Sequence, residues 1–224
     1  MAPITSDTLI TPCHDCRKCP RLVEFRRTNR KLEPLWHNAP VESIGPLTAR
    51  LLVIGLAPGK KGANRTGRPF TGDYAGQLLF PTLIKFGFAL GTYAPTQTGN
   101  LKLKDCRITN AVRCVPPQNK PIGAEISSCL PFLKSEIDAM KNLRVVLVLG
   151  GIAHYAVIRA FKMKTSKHKF NHGSQHKVDA KITLFDSYHC SRLNTNTGRL
   201  TDDMFSKVFK DLRKSLNDDK SLKQ

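Results

Sequence analysis

The sequence has no run of apolar residues long enough to cross a membrane. A spanning helix needs about 20 mostly apolar residues, and no stretch of this chain approaches that length. The first twelve residues have neither the basic segment nor the apolar segment of a secretory signal. These absences predict a cytoplasmic protein without a membrane partner.

Acidic residues are scarce. Asp and Glu number 17 against 36 Lys and Arg, which gives a formal net charge of +19 on 224 residues. Such an excess predicts attraction to a polyanion, with nucleic acid as the first candidate. An anionic membrane surface is a weaker candidate, because no long basic amphipathic helix is present. We therefore expect a nucleic-acid partner and association with the nucleoid.

Apolar β-rich runs alternate with helix-like runs along the chain. This alternation predicts a parallel sheet with helices on both faces, formed by a single domain over residues 1–224. The ends, 1–12 and 217–224, should be flexible, and 162–181 should form an exposed basic loop. The predicted strands are 51–56, 105–110, 144–149 and 182–188, and the predicted helices are 77–88, 124–140, 152–161 and 201–216.

The seven cysteines favour metal binding over disulfides, since a cytoplasmic protein is kept reduced. Cys16 and Cys19 have the two-residue spacing that lets one turn of chain present both sulfurs to one metal centre. Cys114 and Cys129 could complete a four-thiolate site for zinc or an iron–sulfur cluster, or could simply be buried. Cys13 forms a second such pair with Cys16, so the ligating pair stays open. Cys106 is expected in the core.

A glycine-rich, cationic loop follows the first predicted strand. It is not a Walker phosphate loop, because three residues, not four, separate Gly55 from Gly59, and Lys61 stands where Ser or Thr is required. Two interpretations remain: a surface for DNA phosphates with a base pocket beneath it, or a flexible loop in which Asp73 caps the next helix. Phe70 and Asp73, set among glycines, suit such a pocket.

Four stretches carry a resemblance to a known family. They are residues 16–22, the loop 55–76 (GLAPGKKGANRTGRPFTGDYAG), 108–121 (ITNAVRCVPPQNKP) and 187–201 (SYHCSRLNTNTGRLT). The chain resembles the iron–sulfur uracil-DNA glycosylases, and within them the type 5 group. The resemblance implies a three-layer α/β/α sandwich with a central parallel sheet. It also implies a [4Fe–4S] cluster held by Cys16, Cys19, Cys114 and Cys129.

The resemblance also implies roles for the site residues. Phe70 should stack on an extruded base, and Asn110 should hydrogen-bond the uracil edge. His189 should stabilise negative charge on the departing ring, and Asp73 should activate water or stabilise the sugar cation. We assign the remaining residues to base binding (Gly55, Ala57 and Gly59) and to DNA contact (Lys60, Arg65, Arg68, Ser191 and Arg192).

Two positions depart from the family's pattern. Leu56 stands where type 4 relatives carry an acidic residue, which makes Asp73 the candidate general base, and Cys190 replaces the usual Pro. We expect a monomeric, monofunctional glycosylase that removes uracil, and also hypoxanthine or xanthine, from DNA and leaves an abasic site. The alternative is a non-catalytic nucleic-acid-binding protein with structural zinc. Contacts from Asn119 and Asn194 are left open.

Overall fold

The computed structural model describes residues 9–95 and 99–221. Its centre is a five-stranded sheet of order β4-β1-β5-β7-β6, in which only β6 runs antiparallel to its neighbour. A separate antiparallel pair joins β2 to β3. The strands are β1 (Leu51–Gly55), β2 (Ala89–Leu90), β3 (Lys102–Leu103), β4 (Cys106–Asn110), β5 (Val145–Leu149), β6 (Gln175–Lys177) and β7 (Thr183–Ser187).

Helices cover both faces of the sheet and confirm the predicted three-layer α/β/α sandwich. Each of the four helices predicted from the sequence is present, with ends shifted by a few residues. The helices are α1 (Pro20–Leu32), α2 (Ala63–Thr66), α3 (Tyr74–Lys85), α4 (Gly123–Ala139), α5 (Gly151–Ala160), α6 (Arg192–Asn196) and α7 (Asp202–Ser221).

Two cores form because successive side chains of a strand point to opposite faces. In β1, Leu51 and Val53 pack with residues of α3 and α7, whereas Leu52 and Ile54 pack with residues of α4 and α5. Every residue of β1 is buried, which explains the continuous apolar run of a strand covered on both faces.

The sheet places the candidate site residues at one edge. Strands β1, β4, β5 and β7 are parallel, so their carboxyl ends meet on the same side, where ligands bind in open α/β sheets. The register pairs Gly55, the last residue of β1, with Asn110, the last residue of β4. Strand β7 ends at Ser187, two residues before His189.

The predicted exposed loop at 162–181 is wrong in part, because Gln175–Lys177 forms the edge strand β6. In this strand His176 points inward between two exposed residues, the alternation typical of an edge strand. The pattern is only three residues long, and the lysines around it favour a loop. Helix α1, which Pro20 begins, was not predicted. Helix α7 continues past the predicted end at 216 to Ser221.

The chain ends fall partly outside the described residues. The predictions of flexibility at 1–8 and 222–224 concern residues that the structure does not describe. Further along, the backbone N–H of Ile10 donates to Ser135 Oγ at 2.8 Å, so this part of the amino-terminal segment contacts α4.

Glu136 on α4 forms the centre of a buried charge cluster. Its carboxylate accepts hydrogen bonds from Arg107 Nε at 2.6 Å and from the Arg113 guanidinium, and it is 1% exposed. Burial alone would raise the pKa of Glu136, but Arg113 and Arg107 outweigh it and hold that pKa below its usual value. The cluster ties α4 to β4 and to the chain that follows β4.

We expect Glu136→Gln to destabilise the protein by about 3–5 kcal/mol, because it leaves two buried guanidinium groups without their counter-charge. Urea unfolding measures the change. The matched control is Glu24→Gln, which breaks an exposed pair with Arg27 and should change stability by less than about 1 kcal/mol. Equal effects of the two variants would show that the cluster is not a stabilising unit.

Candidate active site

A cavity of about 500 Å³ opens at the carboxyl edge of the sheet. Eight of the residues that the sequence singled out for base or DNA binding and catalysis line it: Ala57, Gly59, Phe70, Asp73, Asn110, His189, Ser191 and Arg192. The wall also contains Leu56, Ala63, Tyr74, Ala75, Gln118, Asn119, Lys120 and Leu193. Segments distant in sequence therefore meet at one concave site.

Gly55, which the sequence assigned to base binding, does not line the cavity but packs against two residues that do. A methyl group added at Gly55 would lie 2.5 Å from both Asn110 Oδ1 and Phe70 Cζ, which is closer than real contacts allow. The absence of a side chain thus lets the Asn110 amide and the Phe70 ring approach the backbone of β1. Phe70 itself has φ +55°, a left-handed conformation that is costly for an aromatic residue.

The Phe70 and His189 rings lie close to parallel in the site, with centroids 6.2 Å apart and planes 28° from each other. Burial lowers the pKa of His189 to about 4, so its imidazole is neutral near pH 7. A neutral imidazole can donate one hydrogen bond and accept another. Asn194 Nδ2 donates to the His189 carbonyl oxygen at 2.8 Å, so Asn194 supports this loop.

Asp73 lies in the cavity wall and also caps helix α3. Its carboxylate accepts a hydrogen bond from the Gly76 N–H at 3.3 Å. Burial raises the pKa of Asp73, although the backbone N–H groups of Gly76 and Ala75 oppose the shift. The carboxylate also lies against the backbone, since a methyl group at Gly62 would come within 2.5 Å of Asp73 Oδ2. The two interpretations of Asp73, as cap and as pocket residue, are compatible.

Two neighbouring residues in the cavity wall were not assigned from the sequence. Gln118 and Asn119 both have left-handed φ values, +54° and +56°, and they turn the chain so that Lys120 reaches the same wall. Asn119 therefore lines the cavity, the possibility that the sequence left open. The two prolines before Gln118 signal a turn, but they do not reveal which site it reaches.

Aromatic and basic side chains meet at the cavity. The Arg192 guanidinium lies 5.3 Å from the centre of the Tyr74 ring, which is within the range of a cation–π contact. Ser191, the residue before it, caps α6 by accepting a hydrogen bond from the Asn194 N–H at 3.4 Å. Arg192 and Ser191 are thus held between the end of β7 and the start of α3.

The structure places three predicted DNA-contacting residues outside the cavity wall. Lys60 Nζ lies 5.9 Å from the centre of the Phe25 ring. Arg65 is exposed on α2, and Arg68 is half-buried beyond it. These residues belong to the surface around the site and do not line it.

A second, small cavity is lined by Cys16, Cys19, Cys114 and Cys129, the four cysteines that the resemblance assigned as ligands. Cys13 does not line it and is exposed. Among the described residues, no three of the Sγ atoms come within 4.8 Å of one another. A tetrahedral zinc site, with bonds of about 2.3 Å, would bring sulfurs to within about 3.8 Å.

The cysteine cavity fits a metal centre with thiolate ligands. Burial raises the pKa of Cys114 to about 12 and that of Cys129 to about 11, against the opposing charges of Arg26 and Arg113. Such thiols become thiolates when a metal supplies the compensating charge. Arg26 Nη1 donates to Cys114 Sγ at 3.7 Å, and the Arg113 N–H donates to Cys129 Sγ at 3.4 Å.

The two remaining cysteines are buried away from that cavity. Cys106 lies in β4 as expected of a core residue. Cys190 follows His189, is fully buried, and packs in the core shared with α7. Burial and the negative charge of Asp73 raise the pKa of the Cys190 thiol, so it remains protonated.

None of the described helices is both long enough and apolar enough to span a bilayer. Residues 42–213 match the uracil DNA glycosylase superfamily.

Named relatives resemble the chain over most of its length. A type-5 uracil-DNA glycosylase of Thermus thermophilus is 42% identical over 89% of this chain and 93% of its own. One of Pyrobaculum aerophilum is 36% identical over 91% and 90%. A type-4 uracil-DNA glycosylase of the same archaeon is 32% identical over 78% and 77%. The chain therefore belongs to the uracil-DNA glycosylase superfamily and, within it, to the type-5 uracil-DNA glycosylases.

Proposed function

We propose that this protein hydrolyses the N-glycosidic bond of uracil in DNA and leaves an abasic site. The observation that carries the proposal is that Phe70, Asp73, Asn110 and His189 line one cavity. Its volume of about 500 Å³ lies within the range of small-ligand sites and accommodates a nucleobase. The type-5 relatives are named for the same activity.

Base binding begins with extrusion of the base from the duplex. This step costs a few kcal/mol for a paired base and less for a mismatched one. Stacking on the Phe70 ring offsets part of that cost, at roughly 1–3 kcal/mol per stacked base. The Asn110 amide, fixed against the Gly55 backbone, hydrogen-bonds the uracil edge. An amide held in one position distinguishes uracil from cytosine, because the two bases differ in donors and acceptors along that edge.

Bond cleavage requires opposite charges to be stabilised at two places. The C1′–N1 electron pair leaves with uracil, and His189, being neutral, donates a hydrogen bond to the O2 that gains negative charge. Asp73 stabilises the sugar cation and accepts a proton from the water that adds to C1′. Leu56 lines the cavity as an apolar group, which leaves Asp73 as the carboxylate in the described wall.

We propose that the reaction is monofunctional and extends to hypoxanthine and xanthine. With apolar Leu56 in place of an acidic side chain, the wall makes less specific contacts with the base, and we infer that purines also enter the site. Lys120 lies in the cavity wall but at no position that the resemblance marks for Schiff-base chemistry. The abasic product should therefore keep an intact strand until alkali is added.

We also propose that Cys16, Cys19, Cys114 and Cys129 hold a [4Fe–4S] cluster. A cubane binds one thiolate at each of four iron corners, and these four cysteines line one small cavity. When bound, the cluster supplies a structural tie. Its ligands join the start of α1, the chain after β4, and α4.

The net charge of +19 supports DNA as the partner. Lys60, Arg65 and Arg68 surround the site, and with Ser191 and Arg192 we assign them to the DNA backbone and groove. Binding through phosphates weakens steeply with salt, because it depends on released counterions. We infer a single catalytic domain that acts as a monomer on DNA in the cytoplasm, in association with the nucleoid.

We expect Asp73→Asn to lower the rate of uracil excision about 100-fold or more, the range for loss of a general base. Asn caps helices as well as Asp does, so the thermal midpoint should stay close to wild type. Asp73→Ala, the matched variant, should lose the same activity and about 1 kcal/mol of stability as well. Alkali cleavage of a uracil-containing oligonucleotide measures the rate.

The pH profile separates the two proposed roles. Asp73 acts as a carboxylate, and its pKa is raised. When the pH is lowered, the wild-type rate should therefore begin to fall at a higher pH than it would with an ordinary Asp. His189 has a pKa of about 4 and should cause no change near pH 6.5. Full activity in Asp73→Asn, or an inflection near pH 6.5 that His189→Ala removes, contradicts these assignments.

We expect Gly55→Ala to reduce uracil excision about 10-fold or more, because a methyl group 2.5 Å from Asn110 and Phe70 must displace one of them; displacements of about 1 Å can cost this much or more. Oligonucleotide cleavage under single-turnover conditions measures the rate. Gly123→Ala is the matched control, since nothing lies within 4 Å of its added methyl group. An active Gly55→Ala variant would show that the close contact is unimportant.

We expect purified wild-type protein to be brown, with about four irons per chain. Cys16→Ser should lose the colour and most of the iron, whereas Cys13→Ser, its matched control, should retain both. Iron and zinc analysis together with absorbance near ~400 nm measure the outcome. A colourless wild-type protein containing zinc would support the rival nucleic-acid-binding protein.

A further inference from the structure

Three potential metal ligands meet on the side of the sheet covered by α5. They are His154 on α5, His176 on the edge strand β6, and Asp186 on β7. His154 Nδ1 lies 2.7 Å from Asp186 Oδ1, and His176 Nε2 lies 3.1 Å from Asp186 Oδ2. None of the three lines the base cavity.

The donor set suits a divalent transition metal. One donor atom from each residue lies within 4.8 Å of the other two. Two imidazole nitrogens and one carboxylate oxygen are a common ligand set for zinc, with a fourth position left for water. The three ligands come from three separate elements, so an ion held by them would cross-link the sheet edge to α5.

Surrounding groups already orient the ligands as in known metal sites. His154 Nε2 lies 2.8 Å from the His168 carbonyl oxygen, which can only accept, so Nε2 carries a proton. Nδ1 faces the Asp186 carboxylate at 2.7 Å and donates to it, and this second proton is the one that a metal ion would displace. The Asn171 backbone N–H donates to Asp186 Oδ2 at 3.3 Å. Ligating histidines generally donate their second N–H to a carbonyl or carboxylate, and ligating carboxylates are themselves hydrogen-bonded.

The three ligands are buried except at His176, which leaves an entrance. The side chains of His154 and Asp186 are 0% exposed, whereas that of His176 is 13% exposed. An ion can therefore reach the site past His176, at the edge strand. A buried carboxylate needs a partner; in this structure His154 and His176 supply it, and a divalent ion bound between them would take over that role.

We propose that His154, His176 and Asp186 form a second metal site, which binds a zinc-class divalent ion. Zinc bonds of about 2.0–2.1 Å place tetrahedral ligands about 3.3 Å apart, so the 2.7 Å contact between His154 and Asp186 must open by about 0.6 Å. The ion takes the place of the protons that lie between the imidazoles and the carboxylate, and these are released.

The site's position gives the ion a structural role. Asp186 also pairs through its backbone with Ser174 and Gly173, in the segment that leads into β6. Strand β7 continues directly into the loop that carries His189. Zinc would therefore fix the segment 168–176 against the strand that supports the catalytic histidine.

The test is zinc retention by the full-length protein with the four cysteines of the cysteine cavity intact. Protein incubated with zinc chloride and then dialysed is analysed for zinc and iron, and the zinc environment is measured by X-ray absorption. We expect about one zinc per chain with nitrogen and oxygen ligands near 2.0 Å and no sulfur ligand. Zinc should also raise the thermal midpoint of the wild type.

The variant is His176→Gln, since Gln can still donate a hydrogen bond to Asp186 but is a poor zinc ligand. It should retain less than about a tenth of the wild-type zinc and lose the zinc-dependent shift in midpoint. His172→Ala is the matched control, because His172 lies in the same segment but stacks on Tyr188. Three outcomes would overturn the proposal: equal zinc in His176→Gln, sulfur ligands around the zinc, or no zinc retained by the wild type.

Discussion

The close approach of the β1 backbone to the Asn110 amide and the Phe70 ring is the constraint on which the site depends. Parallel pairing in register places Gly55 beside Asn110 at the ends of adjacent strands. Only a residue without a side chain leaves room there for both groups. The polar edge and the stacking face of the cavity are therefore positioned by backbone geometry, which is more rigid than side-chain packing.

Several residues around that contact have energetically costly backbone conformations. Phe70, Gln118 and Asn119 all have left-handed backbone conformations, and all three line the cavity. Such conformations persist only where neighbouring structure enforces them, and they concentrate at binding sites. The chain after β4 supplies Cys114 to the cysteine cavity, so the proposed cluster would help hold the turn that carries Gln118 and Asn119.

Three acidic residues, Glu136, Asp186 and Asp73, lie inside the fold or in the cavity wall. Glu136 joins two buried arginines, and Asp186 joins two histidines. Asp73 lies in the cavity wall against helix α3. Most of the described basic residues, such as Arg65, lie at least partly on the surface. The exposed positive charge, which we propose attracts DNA, is thus separated from these three carboxylates.

Local sequence patterns predict the sheet well, because strands such as β5 are continuous apolar runs bounded by glycine. The resemblance brought Asp73, Asn110 and His189 to one site, and their convergence follows from parallel strands that end at one edge. Neither the local sequence patterns nor the family resemblance predicted the Arg192–Tyr74 contact or the cluster of His154, His176 and Asp186. Those depend on partners far apart in the chain, which local periodicity does not record.

The edge strand β6 shows the same limit. Its three residues, Gln175–Lys177, lie among lysines and have little β propensity of their own. Pairing with β7 supplies the hydrogen bonds, and the inward His176 supplies the buried contact. Tertiary structure therefore decides a segment whose composition favours a loop.

The most direct measurement is a crystal structure of the Asp73→Asn variant bound to DNA containing uracil. The account predicts an extruded uracil in the cavity, stacked on Phe70, with its edge at Asn110 and its O2 within hydrogen-bond distance of His189. A uracil bound elsewhere on the protein, or left stacked in the duplex while the cavity stays empty, would contradict it.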